Sequence, residues 1–406
     1  MKKKISFALL SLILASNISC KSDDDVSSGI TGSLTVEEGK EQLENNSIEL
    51  LNKIEDFKND DALNEIIELA EYINGSTTTK SSGFKEIAFN TINNVSSMKT
   101  ENTDIVLFNA KQSTAIIAEN SLVDDFNEET GVYEWNATTE EFDKTGESDD
   151  IIYNISYNDK VAVFSFTDFN TTIAGGDDTE ELPTLIKANL KINTTTVFSQ
   201  DFTASFQDDQ LIPLSINNIT TIGGFVFTTS YSNNNNTSIT QSFEFKIGDT
   251  VITSYNFTTN GDFNNENANI DDIIDNVAIS FQFLDAKLTI TATDDNFNTD
   301  SELSIDEQIA LLNSNIIGEL SIDTKSIAKT EFYKDEETQT SYVYNPDTQS
   351  GEYVEITEDI INIRFLFEDG TSNDFDTYIE GSFTELEDKF DAVFEAYEDL
   401  FEGIEL

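Results

Sequence analysis

Ile186-Lys187-Ala188-Asn189-Leu190-Lys191-Ile192-Asn193 sets apolar and polar residues in strict alternation, the period-two pattern of a strand with one face buried and one face in water. The pattern returns downstream, with Phe225, Phe227 and Tyr231 on one side of an Asn233–Asn236 turn and Phe243, Phe245 and Ile247 on the other. Gly248-Asp249 then supplies a two-residue hairpin connection, and Val251, Tyr255 and Phe257 carry the alternation to Asn260-Gly261. Ile279, Phe281 and Phe283 are placed to pair with Leu288 and Ile290. From about residue 104 to 293 the chain reads as a meander of sequential antiparallel hairpins.

The period changes outside that block. Thr35-Val36-Glu37-Glu38 has capping-box spacing, and Leu43, Leu50, Leu51, Ile54 and Phe57 follow near helical period until Asn59-Asp60-Asp61 interrupts. Leu63, Ile66, Ile67, Ala70 and Ile73 form a second stripe that stops at Asn74-Gly75, which predicts a helical hairpin. Phe84, Ile87, Ala88, Ile92 and Val95 predict a third short helix. Ser304-Ile305-Asp306-Glu307 is another capping box, opening a helix through Ile309 and Leu312 that ends near Gly318. Strands resume from about 319 to 380, and Ser382-Phe383-Thr384-Glu385 then caps a helix striped by Leu386, Phe390, Val393, Phe394, Tyr397 and Phe401.

These elements predict an α+β fold in which a large curved antiparallel sheet packs against an N-terminal helical hairpin and a C-terminal helix, with a β-sandwich as the alternative. The expected organisation is a signal peptide over 1–19, an acidic flexible tether over 20–33, a helical segment over 34–100, and an antiparallel β-rich domain over 101–406 with helices at about 305–317 and 383–402.

The formal net charge is −56, from 78 acids against 22 bases, and removing residues 1–19, which hold three lysines and no acids, takes it to −59. A chain so acidic, with Arg364 as its only arginine, excludes nucleic acid and offers no cluster for phosphates or anionic headgroups. Hydrophobic residues at 38%, including thirty Phe, supply core material all the same, so the acids belong on the surface.

Lys2-Lys3-Lys4, the apolar run Ile5 to Ile18 and the small Ser19 have the three parts of a secretory signal, and the run is too short to span a bilayer. The only cysteine, Cys20, stands where a bacterial lipoprotein signal places the thiol that becomes diacylated, although Asn17 occupies a position usually held by Leu. Lys21-Ser22-Asp23-Asp24-Asp25 resembles the acidic tether that exports lipoproteins to the cell surface in Bacteroidota, the flavobacterial group especially. At a constant offset of 209, Tyr133, Trp135, Asn136, Thr139, Asp150, Ile151 and Ile152 match Tyr342, Tyr344, Asn345, Thr348, Asp359, Ile360 and Ile361. That pattern reads as a duplicated unit or as reused turn chemistry. It is similar to one in flavobacterial lipoproteins of unassigned function. The likeness covers two short windows and implies origin, with no chemistry attached. Asp249-Thr250-Val251 resembles the short acceptor for O-glycosylation in the same phylum, and it already serves a hairpin.

The absence of histidine removes Ser-His-Asp and Cys-His nucleophilic machinery and the usual transition-metal sites. Carboxylate chemistry, such as glycoside hydrolysis by a carboxyl pair, is the enzyme class left open. Sugar sites also use aromatic platforms, for which a single tryptophan, Trp135, is thin support. Asn296, Asn298, Asp300, Ser304 and Glu307 fall at positions 1, 3, 5, 9 and 12 of a calcium-loop spacing, but position 6 is Ser301 rather than Gly, and Ser304 and Glu307 already serve a helix cap. Gly175-Gly176 and Gly223-Gly224 precede no helix, so no phosphate loop is present. The expected function is therefore non-enzymatic: an outer-membrane lipoprotein, held to the membrane through lipid on Cys20 and exposed at the surface, that binds an extracellular macromolecule or glycan. A carrier of an apolar ligand, with Phe390, Phe394, Tyr397 and Phe401 lining a half-barrel cavity, and a carboxylate-based glycoside hydrolase are the alternatives.

Overall fold

The computed structural model describes residues 36–74, 84–97, 121–174, 180–207, 213–263, 274–293, 303–345, 350–367 and 370–374. The fold is mostly a large open mixed β-sheet carrying a few helices. The expected C-terminal helix and its aromatic stripe, and Asn296, Asn298 and Asp300 of the calcium spacing, lie outside the described residues. Among the described residues no helix is long and apolar enough to cross a membrane.

The chain divides into two compact units, one holding residues 45–258, 281–284 and 385–406, the other 1–44, 259–280 and 285–384. The helices are α1 (Val36–Lys58), α2 (Asp61–Asn74), α3 (Phe84–Ser97), α4 (Leu122–Glu129) and α5 (Ile305–Asn315).

In the first unit the strands are β1 (Gly131–Asn136), β2 (Glu141–Gly146), β3 (Ile151–Tyr157), β4 (Lys160–Ala174), β5 (Glu180–Ile192), β6 (Thr195–Phe206), β7 (Pro213–Ile222), β8 (Phe225–Asn233), β9 (Ser238–Ile247) and β10 (Thr250–Gly261). Their order is β10-β9-β8-β7-β6-β5-β4-β3-β1-β2. From β3 to β9 successive strands pair as antiparallel hairpins, as the alternation predicts. The far end departs from the antiparallel expectation. After the β1–β2 hairpin the chain doubles back, Gly131 N–H donates to Asp150 O, and β3 enters parallel to β1 with Tyr133 opposite Tyr153. That leaves β2 at the edge, where Glu141, Asp143 and Lys144 discourage further pairing.

The alternating residues of β5 are buried as a set, Ile186, Ala188, Leu190 and Ile192, and the same face continues through Phe164 and Phe166, Phe198 and Phe202, Phe225 and Phe227, and Phe243 and Phe245. Helices cover it. Leu63, Ile66, Leu69, Ala70 and Ile73 are the buried stripe of α2, with Leu69 taking the place expected of Ile67. On β10 the buried residue is Ile252 rather than Val251, and Tyr255 follows three residues later, so the inward phase slips by one within the strand. The β7–β8 turn meets the start of α2: Asp60 Oδ1 accepts from Ala62 N–H at 2.8 Å and Leu63 N–H at 3.2 Å. A Cβ on Gly223, whose φ is +57°, would stand 2.5 Å from that oxygen, so only glycine closes the turn there.

In the second unit β11 (Ile274–Phe283), β12 (Ala286–Thr293), β13 (Ile316–Ile322), β14 (Lys325–Asn345), β15 (Ser350–Phe367) and β16 (Ser372–Asp374) follow in chain order. The predicted capping box of α5 is present: Glu307 N–H donates to Ser304 Oγ, and Glu307 Oε2 accepts from Ser304 N–H at 2.9 Å. The helix stops at Asn315, short of the expected 317, because Ile316 and Leu320 are needed on the buried side of β13. Gly318 is no cap. It sits within β13 where a Cβ would come 2.4 Å from Thr330 Oγ1.

The two windows related by an offset of 209 each contain a hairpin, 136–141 and 345–350. Beyond the turns they part: Asp150 ends the loop before β3, whereas Asp359-Ile360-Ile361 lie inside the continuous β15. The structural likeness of the two windows is confined to the antiparallel strand pair.

Candidate interaction surface

The outward residues of β6 to β9 line up in rows across the strands. The register Ser205–Ser215–Ser232–Thr240 makes one row and Thr203–Asn217–Ser230–Ser242 the next. All are exposed or half-buried. Neighbouring side chains in a row stand about 4.8 Å apart along the hydrogen-bonding direction. The hydroxyls bond one another, Ser205 to Ser215 at 2.7 Å and Ser230 to Ser242 at 2.6 Å, and Thr240 meets Thr258 of β10 at 3.2 Å. These bonds fix rotamers that would otherwise be free.

Neither row contains a charge, in a chain where 78 of 406 residues are acids. Among the described residues of these strands, charge re-enters in the following rows, at Asp201 opposite Ile219 and at Glu244 and Lys246, which pair with each other. The arrangement is a neutral, two-dimensional array of groups that both donate and accept hydrogen bonds. Sequence reading found the apolar half of this alternation and passed over the polar half. The signal was present as Ser or Thr at every second position of 203–205, 228–232 and 240–242, but rows need the cross-strand register, which no single strand carries.

Comparison with protein-family models, curated proteins and solved structures finds no match.

Three described carboxylate clusters have partners that explain them. Glu181 of β5 accepts from Leu122 N–H at 2.7 Å, Val123 N–H at 3.2 Å and the Thr171 hydroxyl at 2.6 Å, so it caps α4 from 59 residues away. Burial pulls its carboxyl pKa upward, but the bonds from Thr171, Leu122, Val123 and Ser121 outweigh that and hold it below the usual range. Lys160 bonds Glu65 at 2.7 Å and Glu68 at 2.6 Å, fastening β4 to α2, and those bonds raise the lysine pKa. The neighbouring Tyr157 hydroxyl is pushed up to about 12 by burial.

Glu129, at the end of α4, is the described carboxyl whose pKa is clearly raised. Burial is the main cause, with Asp125 adding to it, while the Tyr153 hydroxyl at 3.1 Å, the Phe84 amide and Lys85 act in the opposite sense. The folded-state pKa lies above the unfolded value, so its stabilising contribution is complete below the unfolded pKa of about 4.3 and is lost as pH rises through the folded pKa. We expect Glu129→Gln to flatten that dependence: its melting temperature relative to wild type should be highest near pH 7 and fall as both are acidified toward pH 4. Parallel pH profiles of the two proteins would remove Glu129 as the cause.

Trp135 is half-buried. Its ring packs edge-on against Phe89 at 5.9 Å and Phe142 at 5.2 Å, in a cluster continued by Phe142 and Tyr153 at 4.8 Å. Of the calcium spacing, Ser304 and Glu307 are described, and they are engaged in the α5 cap, where the hydrogen bonds from Ser304 hold the Glu307 carboxyl below its usual range.

Proposed function

We propose that the protein is a lipid-anchored outer-membrane lipoprotein of the flavobacterial surface type, whose work is binding and whose ligand is a neutral extracellular glycan. The observation that carries the binding reading is the pair of uncharged hydroxyl and amide rows on β6 to β9. A glycan's hydroxyls need partners that donate and accept alike, and Ser, Thr and Asn provide both. An acidic surface repels anionic polysaccharides, so a neutral array within it selects uncharged ones.

The anchor and address come from Cys20 and the Lys21–Asp25 tether. The non-enzymatic reading rests on the absence of histidine from the chain and on the structural ties made by Glu129, Glu181 and the Glu65–Lys160–Glu68 cluster. No cofactor is required; a calcium ion at Asn296, Asn298, Asp300, Ser304 and Glu307 would have to displace the α5 cap. The finer architecture belongs to the same proposal, with α1 and α2 as an antiparallel hairpin and a C-terminal helix over 383–402.

The test is retention of the mature chain on an immobilised neutral β-glucan and on anionic polygalacturonate. Retention is expected on the glucan alone, and Ser232→Glu, at an exposed position of the first row, should weaken it at least tenfold with the melting temperature within a degree or two of wild type, since exposed substitutions shift stability by only about 0.5 kcal/mol. Failure to bind neutral polysaccharides, or binding indifferent to Ser232→Glu, would sink the reading.

A further inference from the structure

β14 and β15 pair without interruption from Ala328↔Phe367 to Asn345↔Ser350. Their neighbours stop early: β13 pairs with β14 only as far as Lys329, and β16 with β15 only at Arg364 to Leu366. Beyond that base, among the described residues, the two strands have only each other as sheet neighbours, and a two-stranded ribbon is marginal in water on its own.

Which main-chain groups face the open side of β14 follows from Phe332. Where β13 has ended, the Asn313 side chain of α5 takes its place, accepting from Phe332 N–H at 2.8 Å and donating to Phe332 O at 2.8 Å. Phe332 therefore directs its peptide groups away from β15. Antiparallel pairing alternates and this register has no bulge, so Lys334, Glu336, Thr338, Thr340, Tyr342 and Tyr344 do the same. A second bond agrees: Glu336 N–H, having no ladder partner, donates to the adjacent Asp335 Oδ1 at 2.8 Å. Edge groups in this state are a template for another strand.

Charge decides what kind of strand. Between Lys334 and Asp359 the chain carries eight acids and one base; that base, Lys334, is taken up by Asp359 at 2.7 Å, and the register sets Glu336 opposite Asp359 and Glu337 opposite Glu358. Like charges opposed across a ladder are unfavourable, and a second copy of the ribbon would add to the repulsion.

We infer that the β14 edge from Glu336 to Tyr344 takes up an extended, lysine- or arginine-rich polypeptide as an added strand, main-chain bonds supplying affinity and the Asp335 and Glu336 acids selecting a basic partner. This site is independent of the hydroxyl rows. The probe is a fluorescein-labelled (Thr-Lys)5 peptide, read by anisotropy against the full mature chain, with a second peptide of equal charge N-methylated at each threonine. The unmodified probe should bind and the methylated one bind at least tenfold more weakly. Thr340→Pro, which removes an N–H directed away from β15, should cost a similar factor with an unchanged circular dichroism spectrum; if that variant misfolds, the methylated probe alone decides. Equal binding of the two peptides would reduce the effect to charge and overturn the inference, as would wild-type dimers in sedimentation that Thr340→Pro converts to monomers.

Discussion

Phe57→Ala should lower the melting temperature of the unit that holds β1 to β10 by about 10 °C, the effect of about 4 kcal/mol on a unit of roughly 200 residues. Phe57 has no solvent exposure. Its ring stands edge-on to three others, Phe225 at 4.9 Å, Phe227 at 5.6 Å and Phe245 at 6.2 Å, while Phe227 and Phe245 stack on each other at 4.7 Å. Truncation removes the transfer energy of the ring and leaves a cavity whose walls, three large rings on a hydrogen-bonded sheet, cannot collapse inward. Edge-to-face geometry adds a smaller increment specific to aromatics. Phe57→Leu keeps most of the volume and should cost under about 1.5 kcal/mol. Thermal unfolding by circular dichroism separates the two, and a loss below about 1 kcal/mol for the alanine variant would mean that α1 does not clamp the sheet at this point.

The same residue shows what was legible in the sequence. Phe57 closes a helical stripe, and Phe225, Phe227, Phe243 and Phe245 alternate with polar neighbours, so local period revealed each partner even though nothing in the sequence says that they meet. What escaped depends on pairing at a distance. The eight residues of α4 have one N-terminal signal, Ser121 accepting from Asp124 N–H, and the decisive partner, Glu181, arrives from another strand. The parallel entry of β3 beside β1 depends on where the chain turns after Gly146, which alternation does not encode. Gly318 looked like a helix terminator because glycine serves both caps and close approaches, and the contact with Thr330 chooses the second. The hydroxyl rows follow the same logic: β6, β8 and β9 each show alternate Ser and Thr, and only the register converts them into a surface.

On the proposed anchor, Cys20→Ala should move the protein from the membrane fraction to the soluble one, because it removes the thiol that would carry the acyl chains. Each buried methylene contributes about 0.8 kcal/mol, and one chain alone gives only reversible binding, so the diacylated thiol expected at Cys20 is what makes attachment stable. No second route is available through electrostatics, since the chain carries one arginine and a net charge of −56 and anionic headgroups repel it. Mass spectrometry of the N-terminal peptide should find a lipid-modified Cys20 in wild type, and protease shaving of intact cells should release peptides from wild type. The substituted protein should lack the modification and leave the membrane. A wild-type chain that stays unmodified at Cys20 would remove the anchor from the proposal; one that is modified yet protected from the protease would place it on the periplasmic face, where a polymeric extracellular glycan does not reach and the apolar-ligand carrier becomes the stronger reading.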